Sequence, residues 1–216
     1  MSKDKNTVVI AGIGFPELNE AVIRAHQAQK LNLLGFIDDR ASEIPAQIEG
    51  FPVIGDWTLI PLLRAMVINS IFKDCRTRKR AHVKLRAHNA SIIGINAAAD
   101  LHSTSLIDET SIILPNVFMS SNVRVGAHSL IHRNAFLAHD VAVGENCFIG
   151  PGVMCLGKVT ILDNCYIGAG AVLSNGTSIA SNSVIAAGSV VFNDVFEGQV
   201  VMGNPAIIVG VNNEIS

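Results

Sequence analysis

The residues of this 216-residue chain best suited to chemistry are an adjacent imidazole and carboxylate, His139 and Asp140, in the segment AHDVAVG. An imidazole oriented by a carboxylate can accept a proton near neutral pH, which is what general-base catalysis requires. The chain has seven histidines, so a plainer reading also stands, in which His139 is a surface side chain with no role. Four cysteines, Cys75, Cys147, Cys155 and Cys165, show no CxxC spacing and are expected to be buried thiols rather than metal ligands. Near the start, Gly12-Ile13-Gly14 and Asp38-Asp39 each end an apolar run, the places where a nucleotide-binding half-fold meets phosphate and ribose. A basic run follows, with Arg76, Arg78, Lys79, Arg80, Lys84 and Arg86. It is read as the solvated face of an amphipathic helix, with a phosphate contact as the alternative.

What positions His139 is a repeat. Stepping by six from Ile95 through Met119, Ile131, Leu137, Ile149, Cys155 and Ile167 to Val191 meets an apolar residue every time. In a chain that is 49% hydrophobic, that run would arise by chance in about 1 in 100,000 registers. Two residues before each stands a small or β-branched side chain, from Ser105 and Ser111 through Val117 and Cys147 to Ser189. Both sets are predicted to point inward. Gly126, Gly144, Gly150 and Gly168 come one step after the large apolar residue, where a sharp corner is expected to need φ > 0. Short strands separated by corners every six residues make a triangular β-solenoid, three repeats per turn, of between five and six turns. A content of only 5% aromatic residues with 18 glycines suits such a narrow core. The competing folds are a right-handed solenoid and an irregular β-domain. His139, two residues past the inward Leu137, is predicted at an exposed corner. Beyond Val191 the period breaks, and a loop capping the open end is expected.

The first ninety residues read differently. Val8 to Ile13 is a predicted buried strand, a helix with Pro16 in its first turn runs through Lys30, and Leu33 to Ile37 is a second parallel strand. This β-α-β order is that of a Rossmann-like α/β domain. Gly14 is followed by Phe15, Pro16 and Glu17, so the full GxGxxG is absent; no dinucleotide cofactor is expected and a sugar nucleotide remains open. Val53-Ile54 and Met66 to Ile71 can add strands, and Arg76 to His88 a helix. The predicted domains are 1–92 and 93–216. With 16 basic and 18 acidic residues, no overall field favours nucleic acid or an anionic membrane. No apolar stretch approaches the roughly 18 residues of a membrane span, the start lacks the order of a signal peptide, and a cytoplasmic location is expected.

The domain order, together with GIG at Gly12 to Gly14, GFIDD at Gly35 to Asp39, AHDVAVG at Ala138 to Gly144, CLGKVTI at Cys155 to Ile161, IGAGAVL at Ile167 to Leu173 and GNPA at Gly203 to Ala206, resembles the sialic acid O-acetyltransferase and nucleotide-amino-sugar N-acetyltransferase family (NeuD/PglD type) of hexapeptide-repeat acyltransferases. The resemblance implies a left-handed parallel β-helix assembled as a homotrimer. It implies acetyl-CoA as cosubstrate and no metal, with a nucleotide-linked amino sugar as acceptor. His139 matches the family's general base and Asp140 its acidic partner. Gly157 matches the backbone N–H that stabilises the thioester oxyanion, though a turn glycine would stand there equally well. Ala169, Ala187 and Pro205 match positions along acetyl-CoA. Gly12, Gly14, Asp38 and Asp39 match the substrate domain, and His132 or Arg133 could meet a phosphate or carboxylate of the acceptor or simply cover the next coil. Phe15-Pro16-Glu17 replaces the family's longer glycine-rich loop, and His132-Arg133-Asn134 departs from its usual Asn or Thr.

Other functions compete. O-acetylation of a sugar hydroxyl, as on sialic acid, keeps the chemistry and changes the acceptor. A γ-type carbonic anhydrase would bind zinc through three histidines, but no histidine follows His139 within eight positions. A sugar nucleotidyltransferase would need a longer front domain, and a silent scaffold would need none of these residues. An acetyl-cysteine route is disfavoured because Cys147, Cys155 and Cys165 are expected to face the interior.

Overall fold

The computed structural model describes residues 6–28, 30–97 and 99–212; the first five residues, on which the reading of the chain's start partly rests, lie outside them. Contacts divide the chain into two units, Met1–Ile95 and Asn96–Ser216.

The first unit is a five-stranded sheet built from β1 (Thr7–Ala11), β2 (Asn32–Ile37), β3 (Gln47–Ile48), β4 (Phe51–Gly55) and β5 (Met66–Asn69), in the order β3-β4-β2-β1-β5. All pairings are parallel except β3 with β4. In β1, Val8, Val9, Ile10 and Ala11 are all fully buried, as a central parallel strand covered on both faces must be. Helix α1 (Pro16–Gln27) starts with Pro16, whose missing N–H costs nothing in a first turn, and buries Leu18, Val22 and Ile23. It stops short of Lys30, where the sequence pattern put its end. Helix α2 (Cys75–Ala87) is capped by Asp74, whose side chain accepts from the Thr77 N–H at 2.6 Å. The basic run on α2 is not wholly solvated: Arg78 is 1% exposed, donates to the Asn69 carbonyl at 3.4 Å, and burial lowers its guanidinium to about 10.

The second unit is a left-handed parallel β-helix. Seventeen two-residue strands, from β6 (Ile95–Asn96) to β22 (Val190–Val191), stack on three parallel sheets. Three strands to a coil make just under six coils. From β7 to β22 the paired strands advance by eighteen residues, as in Phe118 to Phe136 to Met154 to Val172. Leu137, Ile149, Cys155, Ile167 and Leu173 are among the wholly buried inward residues. The three repeat cysteines join them, and burial pushes the Cys155 thiol up to about 12.

Two expectations are corrected. Gly126, Gly144, Gly150 and Gly168 do not carry positive φ; instead each lies against the backbone of the next coil, where a Cβ would come within 2.4–2.8 Å of a neighbouring atom. The left-handed corner falls two residues later and is filled by Asn116, Asn122, Asn134, Asp140, Asn146, Lys158 and Asn164, among others, all with φ between 52° and 64°. Asparagine and aspartate enter that region more readily than other non-glycine residues. Past Val191 the chain does not simply loop: β23 (Gln199–Gly203) pairs in parallel with the solenoid strand Val184–Ile185, and β24 (Ala206–Val211) folds back antiparallel on it.

Candidate active site

His139 occupies the first position of a solenoid corner and Asp140 the left-handed second, so their side chains stand adjacent in solvent, 53% and 43% exposed. The His139 Nδ1 lies 2.9 Å from Asp140 Oδ2. The other carboxylate oxygen, Oδ1, accepts from Asn122 Nδ2 at 3.0 Å. Hydrogen bonds from His139 and then Asn122, with the nearby positive charge of Lys158, hold the Asp140 carboxyl below its ordinary 3.8. An ionised carboxylate can only accept, so Nδ1 is the donor in the 2.9 Å bond, and in the neutral imidazole that makes Nε2 the acceptor.

One coil on, Gly157 is buried beneath that ring. A Cβ at Gly157 would meet His139 Nε2 at 2.5 Å, Cε1 at 2.7 Å and Cδ2 at 3.1 Å. The two coils are tied here by the Lys158 N–H bonded to the His139 carbonyl at 2.9 Å. Only glycine leaves the imidazole where Asp140 holds it.

A separate corner carries Arg133, Pro151, Ala169 and Ala187 in one stack, linked by Gly152 N–H to Arg133 O, Gly170 N–H to Pro151 O and Gly188 N–H to Ala169 O at 2.8–3.1 Å. Ala169 and Ala187 are exposed. Within one chain they are therefore not brought to the His139 corner. Pro205 lies exposed in the turn between β23 and β24. His132 is 8% exposed; its Nδ1 accepts from the Arg133 N–H at 2.9 Å and its ring meets Phe148 edge-on.

In the first unit the ends of β1, β2 and β5 open onto a cleft of about 360 Å³ that collects Gly12, Gly14, Asp38 and Asp39. With β1 between β2 and β5, the connections leave β1 in opposite directions, and a crevice forms at such a switch point. Gly12 has φ +85° and a Cβ there would strike Ile71. Asp38 is 3% exposed and accepts from the Arg40 N–H at 2.9 Å, with the Arg40 guanidinium 3.6 Å away. Phe15 packs on Phe72, ring centroids 5.9 Å apart, and Glu17 stands in the first turn of α1. A carboxylate there opposes an anion at that helix end. The positive charge in the cleft comes instead from Arg40, Lys73, Arg80 and Lys84.

A profile of the bacterial transferase hexapeptide family (six repeats) matches residues 122–157 and 158–193. Against curated proteins the sequence gives no match. Among solved structures, PerB from Caulobacter crescentus, in complex with CoA and GDP-perosamine, is 25% identical over 97% of this chain and 100% of its own, with a TM-score of 0.83. The chain is a hexapeptide-repeat acetyltransferase. The acetyltransferase domain of PglB from Neisseria gonorrhoeae FA1090, in complex with acetyl coenzyme A, has the same fold: 21% identity over 95% and 100% of the two chains, TM-score 0.84. So has WeeI from Acinetobacter baumannii AYE, at 24% identity over 94% and 99%, TM-score 0.82.

Sequence reasoning missed several residues that this acetyltransferase gathers. Asn122 sits eighteen residues before Asp140, and the solenoid step itself would have found it. Trp57, Lys73 and Thr77 line the cleft but come from loops and helix starts that no period connects. Arg80 and Lys84, read as solvated, line it too. Among the described residues no group of three His, Cys, Asp or Glu side chains is placed to hold a metal ion, and no helix is long and apolar enough to cross a membrane.

Proposed function

We propose that the enzyme N-acetylates an amino sugar carried on a nucleotide, with acetyl-CoA as donor and His139 as general base. The observation that carries this is the 2.9 Å contact of His139 Nδ1 with Asp140 Oδ2, which sets the ring with Nε2 over Gly157. In PerB the bound pair is CoA and GDP-perosamine, which supports both halves of the reading.

Acetyl-CoA supplies an activated acyl group. The amine attacks the thioester carbonyl while His139 Nε2 takes its proton; the C–S bond breaks and the proton passes to the leaving thiolate. Asp140 keeps Nδ1 protonated and stabilises the imidazolium formed on the way. The Gly157 N–H is the proposed donor to the thioester oxygen. Gly12, Gly14, Asp38 and Asp39 take the nucleotide, and Arg40, Lys73, Arg80 and Lys84 offset its phosphate charge. His132, 8% exposed and held by backbone, is better suited to packing, which leaves Arg133 as the acceptor contact at its corner.

The reading needs a homotrimer. Ala169, Ala187 and Pro205, the proposed acetyl-CoA contacts, stand away from the His139 corner of their own chain, so a neighbouring protomer must supply the second half of the groove. The sheet between the two corners presents Phe118 and Met154 outward, 38% and 43% exposed, an apolar face suited to subunit packing. The test is CoA release with nucleotide-linked amino sugars and free sialic acids. Turnover is expected on a nucleotide-linked amine, with His139→Ala slower by about 10²–10⁴. Turnover on sialic acid alone would move the enzyme to O-acetylation, and an unimpaired His139→Ala would remove the base.

A further inference from the structure

We infer that Asn122 is a positioning residue for the catalytic pair, its side-chain amide fixing the carboxylate that orients His139. This rests on the reading of His139 as the base. Asn122 and Asp140 are one coil apart on the same corner, with φ 61° and 60°. The amide donates to Oδ1 at 3.0 Å and the imidazole to Oδ2 at 2.9 Å. Each carboxylate oxygen thus has its own donor, and the group cannot turn without losing one. Asn122 is itself anchored: its N–H donates to Thr104 Oγ1 at 2.9 Å, and that hydroxyl lies 3.0 Å from His102 Nδ1. The line of contacts therefore spans three coils and ends at the base. Lys158, from the following coil, is the other charged group acting on Asp140.

The competing explanation is that asparagine merely suits a left-handed corner. Asn146 and Asn164 are stacked in the same way, Nδ2 to Oδ1 at 3.0 Å, with no imidazole on the acceptor. What sets Asn122 apart is that its acceptor is the carboxylate bound to His139.

Two variants separate these explanations without disturbing the corner, because glycine and aspartate both tolerate positive φ. Asn122→Gly removes the amide; Asn122→Asp replaces a donor by a second carboxylate. With full-length enzyme, acetyl-CoA and the active acceptor, Asn122→Gly is expected to lower kcat about three- to tenfold with KM for acetyl-CoA unchanged. Asn122→Asp should lower kcat at least as much and move the acid limb of the kcat/KM profile up by roughly half to one pH unit, since added negative charge favours the imidazolium. Asn116→Gly, at a corner with φ 62°, should keep the wild-type rate. Long-range nitrogen–proton NMR of histidine-labelled protein, with His139→Ala to assign the signal, needs no substrate: wild type should show the Nδ1–H tautomer and Asn122→Gly a mixture. Wild-type rate, acid limb and tautomer in both Asn122 variants, beside an inactive His139→Ala, would reduce Asn122 to a turn residue. An active His139→Ala would instead overturn the base, while the NMR signal still decides whether Asn122 holds the pair.

Discussion

The two units of this acetyltransferase solve the same problem, bringing distant residues together, by opposite means. In the solenoid, position is arithmetic: a residue meets those eighteen places before and after it, so Asn122, Asp140 and Lys158 share a corner because their numbers differ by eighteen. In the α/β unit, the cleft joins residues from β-strand ends, a loop near Trp57 and α2 through packing that no period encodes. The lesson is that a site on a repeat can be altered by one side chain with its surroundings known in advance, whereas a cleft between irregular loops answers to many contacts at once.

The sharpest way to break this contrast is at Gly157. Its φ is not in the left-handed region, so alanine fits the backbone, yet the added methyl would lie 2.5 Å from His139 Nε2. The ring must swing away from the position Asp140 gives it. Gly157→Ala is expected to lower kcat about 100-fold, a scale in keeping with misplacement of a catalytic group, while Tm stays within a few degrees of wild type. A fully active Gly157→Ala would show that the ring position seen here is not the working one.

Stability in the solenoid should follow the same arithmetic. Gly168 abuts the next coil, where a Cβ would be 2.5 Å from the Ala187 nitrogen, a backbone atom that cannot yield alone. Gly170 has φ +66° and open space around it, in the corner position that Asn116, Asn122 and Asn164 fill elsewhere. Gly168→Ala should therefore cost about 1–3 kcal/mol of unfolding free energy by overpacking. Gly170→Asn should change it by less than about 0.5 kcal/mol. Equal effects in denaturant titrations would mean that coil spacing is softer than the eighteen-residue register implies.

How much of this was legible in the sequence follows from the same difference. The run from Ile95 to Val191 fixed inward and outward faces before any coordinates, and it placed His139 at an exposed corner. It misassigned the corner chemistry, because glycine after the large apolar residue is there for close approach, while the positive φ falls on asparagines and on Asp140 itself. The β23–β24 hairpin was hidden because Val200 and Val201 continue the parallel ladder after an irregular link, out of step with six. In the first unit the two motif glycines and Asp38-Asp39 were visible as strand ends. Trp57 and Lys73 were not, since nothing in their local sequence says which way a loop turns. Arg78 was read as solvated because a charge count carries no burial.

A smaller effect is expected from the cleft. Arg80 and Lys84 sit one helical turn apart on α2 and both line it. Replacing both by alanine should raise KM for the nucleotide-linked acceptor about tenfold at low salt and less at high salt, with KM for acetyl-CoA unchanged. A uniform loss in kcat would assign them to the fold rather than to the phosphates.

The smallest effect expected is the stability that Asp140 draws from its charge. Its carboxyl is held below 3.8 in the folded enzyme, first by His139 and then by Asn122. A depressed carboxyl binds fewer protons folded than unfolded, so its contribution is fully present above the ordinary value and disappears as pH falls through the lower, folded one. Asp140→Asn removes that term and keeps a residue equally at home at φ 60°, so any backbone offset between the two proteins does not vary with pH. Because both partners are exposed, the Tm difference at pH 7 should be small. The difference should shift toward the variant as pH drops below about 3.8. A gap that stayed constant from pH 7 to strongly acid solution would mean the carboxylate holds His139 by geometry alone, and the corner would owe its order to the stacked coils rather than to charge.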